Sequence, residues 1–207
     1  MTSEGDDRYV TIAGPAAVEI KRKGSRFIAE TFVIETPEEA SAKLDEVRKR
    51  EHAATHHCYA YRAGRDDEAE FKYSDDGEPS GTAGRPIYDV LLGRDLTDTL
   101  VVVTRYFGGT KLGTGGLVRA YSDAAAGALE ASGVAEHFIM AAIEVELDFS
   151  CYDLLMKAVG RLGASQAEAD FSDHVRARLE IRRSLAQRLI DDIVQLSQGK
   201  AKVHRVR

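Results

Sequence analysis

Residues Ala16 to Ile34 read as two strands flanking Lys23-Gly24-Ser25, a hairpin whose glycine supplies the tight turn. Thr36 then has the chemistry of a helix N-cap, with Pro37 at the first helical position and Glu38 and Glu39 in the first turn. Ala40, Leu44 and Val47 recur at helical spacing, so this helix has one apolar face and runs to about Arg50. A tyrosine-bearing strand comes next over residues 55–62, then a solvated turn at Gly64–Glu68 and a short extended piece from Phe71 to Ser74. The glycine-rich run SDDGEPSGTAGRP reads as a loop, with a helix after it that turns Ile87, Val90, Leu91 and Leu92 inward. Residues 99–106 hold the run Leu-Val-Val-Val, which predicts a strand buried on both faces and therefore central. A long helix begins near Gly116, carries Leu117, Tyr121, Ala124, Ala125, Ala128 and Leu129 along one stripe, and ends at Ser132-Gly133.

The last third has a cleaner rhythm. Ile143, Val145, Leu147 and Phe149 alternate along a strand; Tyr152 to Leu162 is a helix stopped by Gly163. Residues 165–171 and 174–182 form a hairpin, with Phe171 in its core-facing phase. Ala186 to Leu196 is a second helix, and Lys202 to Val206 a last strand. That order, βαββαβ, is the ferredoxin-like unit. The expected organisation is α+β, with one domain over 1–139 and a second over 140–207. The polar residues 1–8 are expected to fray.

Composition narrows the function. The 207 residues are 43% hydrophobic and 30% charged, values of a folded globular protein. No stretch reaches the roughly 20 apolar residues of a membrane span, and the acidic start MTSEGDDRYV is no signal peptide. A cytoplasmic protein without a membrane partner is expected. Cys58 and Cys151 are too far apart in sequence to suggest a disulfide framework or a zinc site. Up to Ile139 there are 17 Lys and Arg against 24 Asp and Glu, net −7; after it 11 against 10, net +1. Neither part has the bulk basic excess of a dedicated nucleic-acid binder.

Three segments carry candidate chemistry. The run Phe107–Gly116 has five glycines in ten residues between a buried strand and a helix. Such a turn can present backbone N–H groups to a phosphate or carboxylate, because glycines leave room for close approach. Gly108, Gly109, Gly113, Gly115 and Gly116 would line the site; Arg105, Lys111 and Arg119 would add charge by converging on one exposed cleft. Neither the P-loop nor the dinucleotide pattern matches, and a tight crossover with close helix–sheet packing explains the glycines equally. In the second segment, Asp75, Asp76 and Glu78 are dense enough to meet a hard cation or an Arg-rich partner, while Ser80 and Thr82 offer hydroxyls. The plainer alternative is a solvated turn in which Ser80 or Thr82 caps the next helix, and no metal is assigned. The third segment is His56-His57 on a strand, where successive side chains face opposite ways. His56 is the candidate titratable group at the anion site. No nucleophile with its base is recognisable, so no catalytic residue and no cofactor is assigned.

FIAETFVIETPEEA, THHCYAYR, YSDDGEPSGTAGRPI and LVVVTRYFGGTKLGTGGLVRAYSDA resemble the Impact family, specifically its bacterial YigZ-like branch, nearly continuously over residues 16–130. The resemblance implies an N-terminal ribosomal protein S5 domain 2-like fold and a C-terminal ferredoxin-like domain similar to those of elongation factor G. It extends to Gly77, Pro79, Gly81, Gly84, Arg85, Pro86 and Tyr106 beside the positions above. It supplies no catalytic assignment. Two functions are expected in turn: a regulatory binding protein linked to translation, with the ribosome, RNA or a translation-associated protein as partner; or an enzyme acting on a phosphorylated or otherwise anionic small metabolite.

Overall fold

The computed structural model describes residues 7–65 and 69–206. Residues 1–6 and the tip of the turn predicted at Gly64–Glu68 lie outside the described residues. Contacts divide the chain into Tyr9–His137 and a second unit of Phe138–Arg207 with the N-terminal residues through Arg8. The first contains most of β1 (Arg8–Ile12) and β7 (Val134–Phe138), which form a two-stranded ribbon. Its main sheet has the order β2-β3-β6-β4-β5, from β2 (Ala16–Arg22), β3 (Ser25–Val33), β4 (His56–Ala63), β5 (Glu70–Ser74) and β6 (Thr99–Tyr106). The helices are α1 (Pro37–Arg50), α2 (Gly84–Leu92) and α3 (Thr114–Ser132).

The apolar run of β6 does what its sequence demands. Leu100, Val101, Val102 and Val103 are fully buried in the middle strand, because helices cover both sides. Val101 and Val103 join Phe27, Ala29, Cys58 and Ala60 against α2 and α3, where Tyr121, Ala124 and Ala128 pack. Leu100 and Val102 face α1 through Leu44 and Val47. The antiparallel register sets Phe27 and His56 beside Arg105, so these three side chains share one face at one end of the sheet.

Local signals fix α1: Thr36 accepts the Glu39 N–H at 3.3 Å and Pro37 opens the helix. Two helices start earlier than their sequence predicts, α2 at Gly84 and α3 at Thr114. The β2–β3 turn places both Lys23 (φ 46°) and Gly24 (φ 80°) in the left-handed region, as a two-residue hairpin turn requires.

In the second unit β8 (Met140–Leu147), α4 (Tyr152–Leu162), β9 (Ser165–Phe171), β10 (Val175–Arg182), α5 (Ala186–Leu196) and β11 (Lys202–Val206) give the sheet order β11-β8-β10-β9. All three pairings are antiparallel. The α+β class and the βαββαβ element order are as the sequence predicts. Ile143, Val145, Leu147, Val175, Leu179 and Ile181 form its core with α4 and α5. Two aromatic positions differ. Phe149 is 50% exposed, because the strand stops at Leu147 and the residue falls in a short turn of 3-10 helix. Phe171 keeps the inward phase opposite Val175 but is 51% exposed. It ends the edge strand, and its cover includes Tyr152, edge-on at 5.1 Å. Among the described residues no helix is long and apolar enough to cross a membrane.

Candidate functional site

Each carboxylate of the loop 75–84 holds a different part of the fold. Asp75 accepts the N–H groups of Gly81, Ala83 and Gly84 at 2.8, 2.9 and 2.8 Å. It therefore caps α2 from eight residues upstream, which is why that helix begins at Gly84. Neither Ser80 nor Thr82 acts as the cap: Ser80 is exposed, and the Thr82 hydroxyl donates to Pro79 O at 2.6 Å. Asp76 sits at φ 44°, accepts the His57 N–H at 2.7 Å and pairs with Arg48 at 3.1 Å. Glu78 turns inward and is buried. Gly84 lies against Ser74 so closely that a Cβ would sit 2.6 Å from its carbonyl carbon.

Under this loop lies a buried polar cluster. Arg105, 5% exposed, donates to Glu78 Oε1 at 2.5 Å and to Ser25 Oγ at 3.3 Å. The Tyr121 hydroxyl donates to the same Glu78 oxygen at 2.8 Å. Burial pushes the Tyr121 phenol up, so it stays a proton donor. His56 Nδ1 is 2.8 Å from the Asp76 carbonyl oxygen; a carbonyl only accepts, so Nδ1 carries the proton. Its Nε2 stands 3.8 Å from Glu78 Oε1. The Cys58 thiol donates to Asp75 O at 3.0 Å, and burial pushes it up, so it is no nucleophile.

The second glycine-rich loop is organised differently. The Phe107 N–H donates to Thr55 Oγ1 at 3.1 Å, and the Gly108 N–H to Ser25 Oγ at 3.2 Å. Gly108 then meets the β2–β3 turn backbone to backbone: a Cβ on it would lie 1.9 Å from the carbonyl carbon of Gly24. Beyond this contact the loop is open. Gly109 and Gly113 have positive φ with nothing within 4 Å of an added Cβ, and Gly115 is equally unobstructed. Gly116 faces Leu112 instead. The α3 N-terminus has Gly113 as its cap and no side-chain cap hydrogen bond, which leaves amide hydrogens and about half a positive charge at the surface.

The glycine contact brings the basic turn beside this loop. Lys21, Arg22, Lys23 and Arg26 lie on it, Lys111 on the loop, and Arg119 on the second turn of α3. Three acids answer them: Glu19 faces Lys21 and Arg26 at 3.8 and 3.7 Å, Asp123 holds Arg22 at 3.1 Å, and Glu51, bonded to the Tyr106 that Arg26 covers, also attracts Arg26. Arg119 is one helical turn before Asp123, hence on the same side of α3. Phe107 stands exposed at the root of the loop.

The structure therefore sorts the residues predicted from sequence into two groups. His56, Asp75, Asp76, Glu78, Thr82 and Arg105 belong to the interior of the closed loop. Gly108, Gly109, Lys111, Gly113, Gly115, Gly116 and Arg119 belong to the open one, with Gly108 as the joint. Arg105 does not share an exposed cleft with Lys111 and Arg119, because its guanidinium is drawn inward to Glu78. Among the described residues no group of three or more His, Cys, Asp or Glu side chains is placed to hold a metal. Sequence reasoning treated Lys23-Gly24-Ser25 as a turn alone. The basic run 21–26 was the available signal, and bulk charge concealed it.

Known proteins are similar to this chain over half or more of its length. The Impact N-terminal domain matches residues 23–129. The IMPACT family member YvyE of Bacillus subtilis is 37% identical over 198 residues, 94% of this chain and 89% of that one. YigZ of Escherichia coli is 43% identical over 116 residues, 56% of this chain and 57% of that protein. A crystal structure of a hypothetical protein covers 97% of this chain and 98% of its own, with a TM-score of 0.69 and 29% identity.

Proposed function

Because the chain belongs to the Impact family, we propose that it is a cytoplasmic binding protein of translation that docks on RNA, with the ribosome as its setting. The family resemblance supplies the setting. The observation that carries the reading is the contact of Gly24 with Gly108, which joins a basic hairpin tip to an uncapped helix N-terminus. Phosphate is the ligand class that such backbone amides and cations hold. We assign the first domain, 1–139, to the ribosomal protein S5 domain 2-like fold and the second, 140–207, to the ferredoxin-like fold.

An acidic body keeps the protein from coating nucleic acid at large, while the tip engages it locally. With six cations and three acids there, three net charges meet phosphates, and affinity falls roughly 20- to 40-fold between 50 and 200 mM salt. Co-sedimentation with ribosomes at both concentrations is the test. Binding at low salt, release at high salt and loss in Lys23→Ala/Lys111→Ala are expected; no association at either concentration overturns the reading. The buried polar cluster supports no enzymatic alternative: the guanidinium that an anionic substrate would need is bonded to Glu78 and shielded from solvent.

A further inference from the structure

We infer that the RNA taken by this tip is single-stranded, with an unpaired base stacked on Phe107; the inference rests on the reading of the tip as an RNA site. Phe107 is 47% exposed, a large apolar ring held out at the surface. It is not a loose side chain. Its own N–H is fixed by Thr55 Oγ1, and the next residue is fixed by Ser25 Oγ and wedged against Gly24. The backbone on which the ring is mounted thus has no room to retreat. The buried Arg105 guanidinium supports the ring from within, its carbon 5.5 Å from the centroid. The preceding residue, Tyr106, carries the Arg26 guanidinium 4.4 Å over its own ring. Nothing in the domain core requires Phe107 to be aromatic, since it is outside the cluster that α2 and α3 close.

A duplex makes poor use of this feature. Its bases already stack on one another, so a protein ring beside it meets only sugar and phosphate. An unpaired base offers a free π-face, and its flanking phosphates lie within reach of cations on either side. Rigid rings on a cationic track are how single strands are held without sequence preference. Lys23, next to the Gly24 that meets Gly108, and Lys111, four residues after Phe107, have no ion-pair partner among the described residues and are the cations assigned to those phosphates.

The test uses the full chain and fluorescence anisotropy with a labelled 12-nucleotide oligo(U) and a 12-base-pair RNA duplex. The wild type is expected to bind the single strand at least tenfold more tightly. Phe107→Leu keeps apolar bulk but loses the π-face, and should weaken the single strand roughly ten- to hundredfold while leaving the duplex within twofold. Phe107→Tyr should restore single-strand binding. Lys23→Ala/Lys111→Ala should weaken both probes and flatten their salt dependence. If Phe107→Leu binds oligo(U) like the wild type while the lysine variant fails, stacking is refuted and the RNA tip stands. If the lysine variant binds both probes normally, the tip reading itself falls. Competition by poly(Glu) as effective as by oligo(U) at equal charge would identify an acidic protein segment instead and overturn the inference. Unchanged thermal midpoints of the variants certify that each is folded.

Discussion

The two glycine-rich loops of the first unit look alike in sequence and behave as opposites in the fold. In the loop 75–84 the polar side chains are engaged internally: Asp75 on α2, Asp76 on β4 and α1, Glu78 on Arg105 and Tyr121. In the loop 107–116 the first two residues are tied to Thr55 and Ser25, and the last three are the first turn of α3. Between them Gly109 and Gly113 have open space around them, and Lys111 is exposed. A dense set of acids is thus a clamp, and a dense set of glycines is in part an exposed surface. The difference teaches that composition reports where a special backbone is needed, while the direction of each side chain decides whether it is available to a partner.

The severest way to break the comparison is Glu78→Ala. It leaves a buried guanidinium without its counter-ion and should cost about 3–5 kcal/mol, read as a lowered urea midpoint. A loss under about 1 kcal/mol would show that the closed loop does not clamp anything. Asp75→Ala comes next. It strips three amides of a charged acceptor and should cost about 2 kcal/mol, with amide exchange rising first at Gly81, Ala83 and Gly84.

Gly108→Ala tests the joint between the open loop and the β2–β3 turn. Backbone stands where the methyl would go, so the hairpin tip must move, at a cost of about 1–3 kcal/mol. Binding of RNA should fall with it. Gly109→Ala, one residue on, meets no atom and bears only the strain of its positive φ, about 1 kcal/mol. Equal effects of the two substitutions would count against a specific glycine contact. On the open side, Ser80→Ala and Lys111→Ala should leave stability within about 0.5 kcal/mol, the first with RNA binding unchanged and the second with it weakened.

The smallest effect is on pH dependence. Glu51 follows α1 and accepts the Tyr106 hydroxyl at 2.7 Å, which, with Arg50, outweighs burial and holds its carboxyl below the usual carboxylate value. A depressed value in the folded state favours the ionised form there. The contribution is therefore fully present above the ordinary carboxylate range and fades as pH falls through the folded value. Unfolding curves of Glu51→Gln and wild type should differ at pH 7 and converge in acid; a constant gap would remove Glu51 from the acid response.

Much of the fold was legible because it rests on local rules. The cap Thr36-Pro37, the turn Lys23-Gly24 and the run Leu100–Val103 each specify their own conformation within a few residues. The C-terminal alternation specifies the faces of its strands as far as Leu147. Phe149 and Phe171 escaped because alternation says which way a side chain points, not whether a strand has ended or has a neighbour. The early start of α2 escaped because its cap, Asp75, lies outside the helical segment and reaches it only once the loop has closed.

By itself the sequence determined the α+β class, the element order, the centrality of β6 and the places where glycine gives the chain freedom. These rest on periodicity, hydrophobic runs and turn chemistry, all of which act between near neighbours. Only the tertiary structure decided that Arg105 is an interior cation and Lys23 a surface one. The first depends on Glu78, 27 residues away, and the second on Gly24 meeting Gly108 across the sheet end. A charge reads the same along the chain in both settings; its availability is set by which carboxylate the folded chain brings to it.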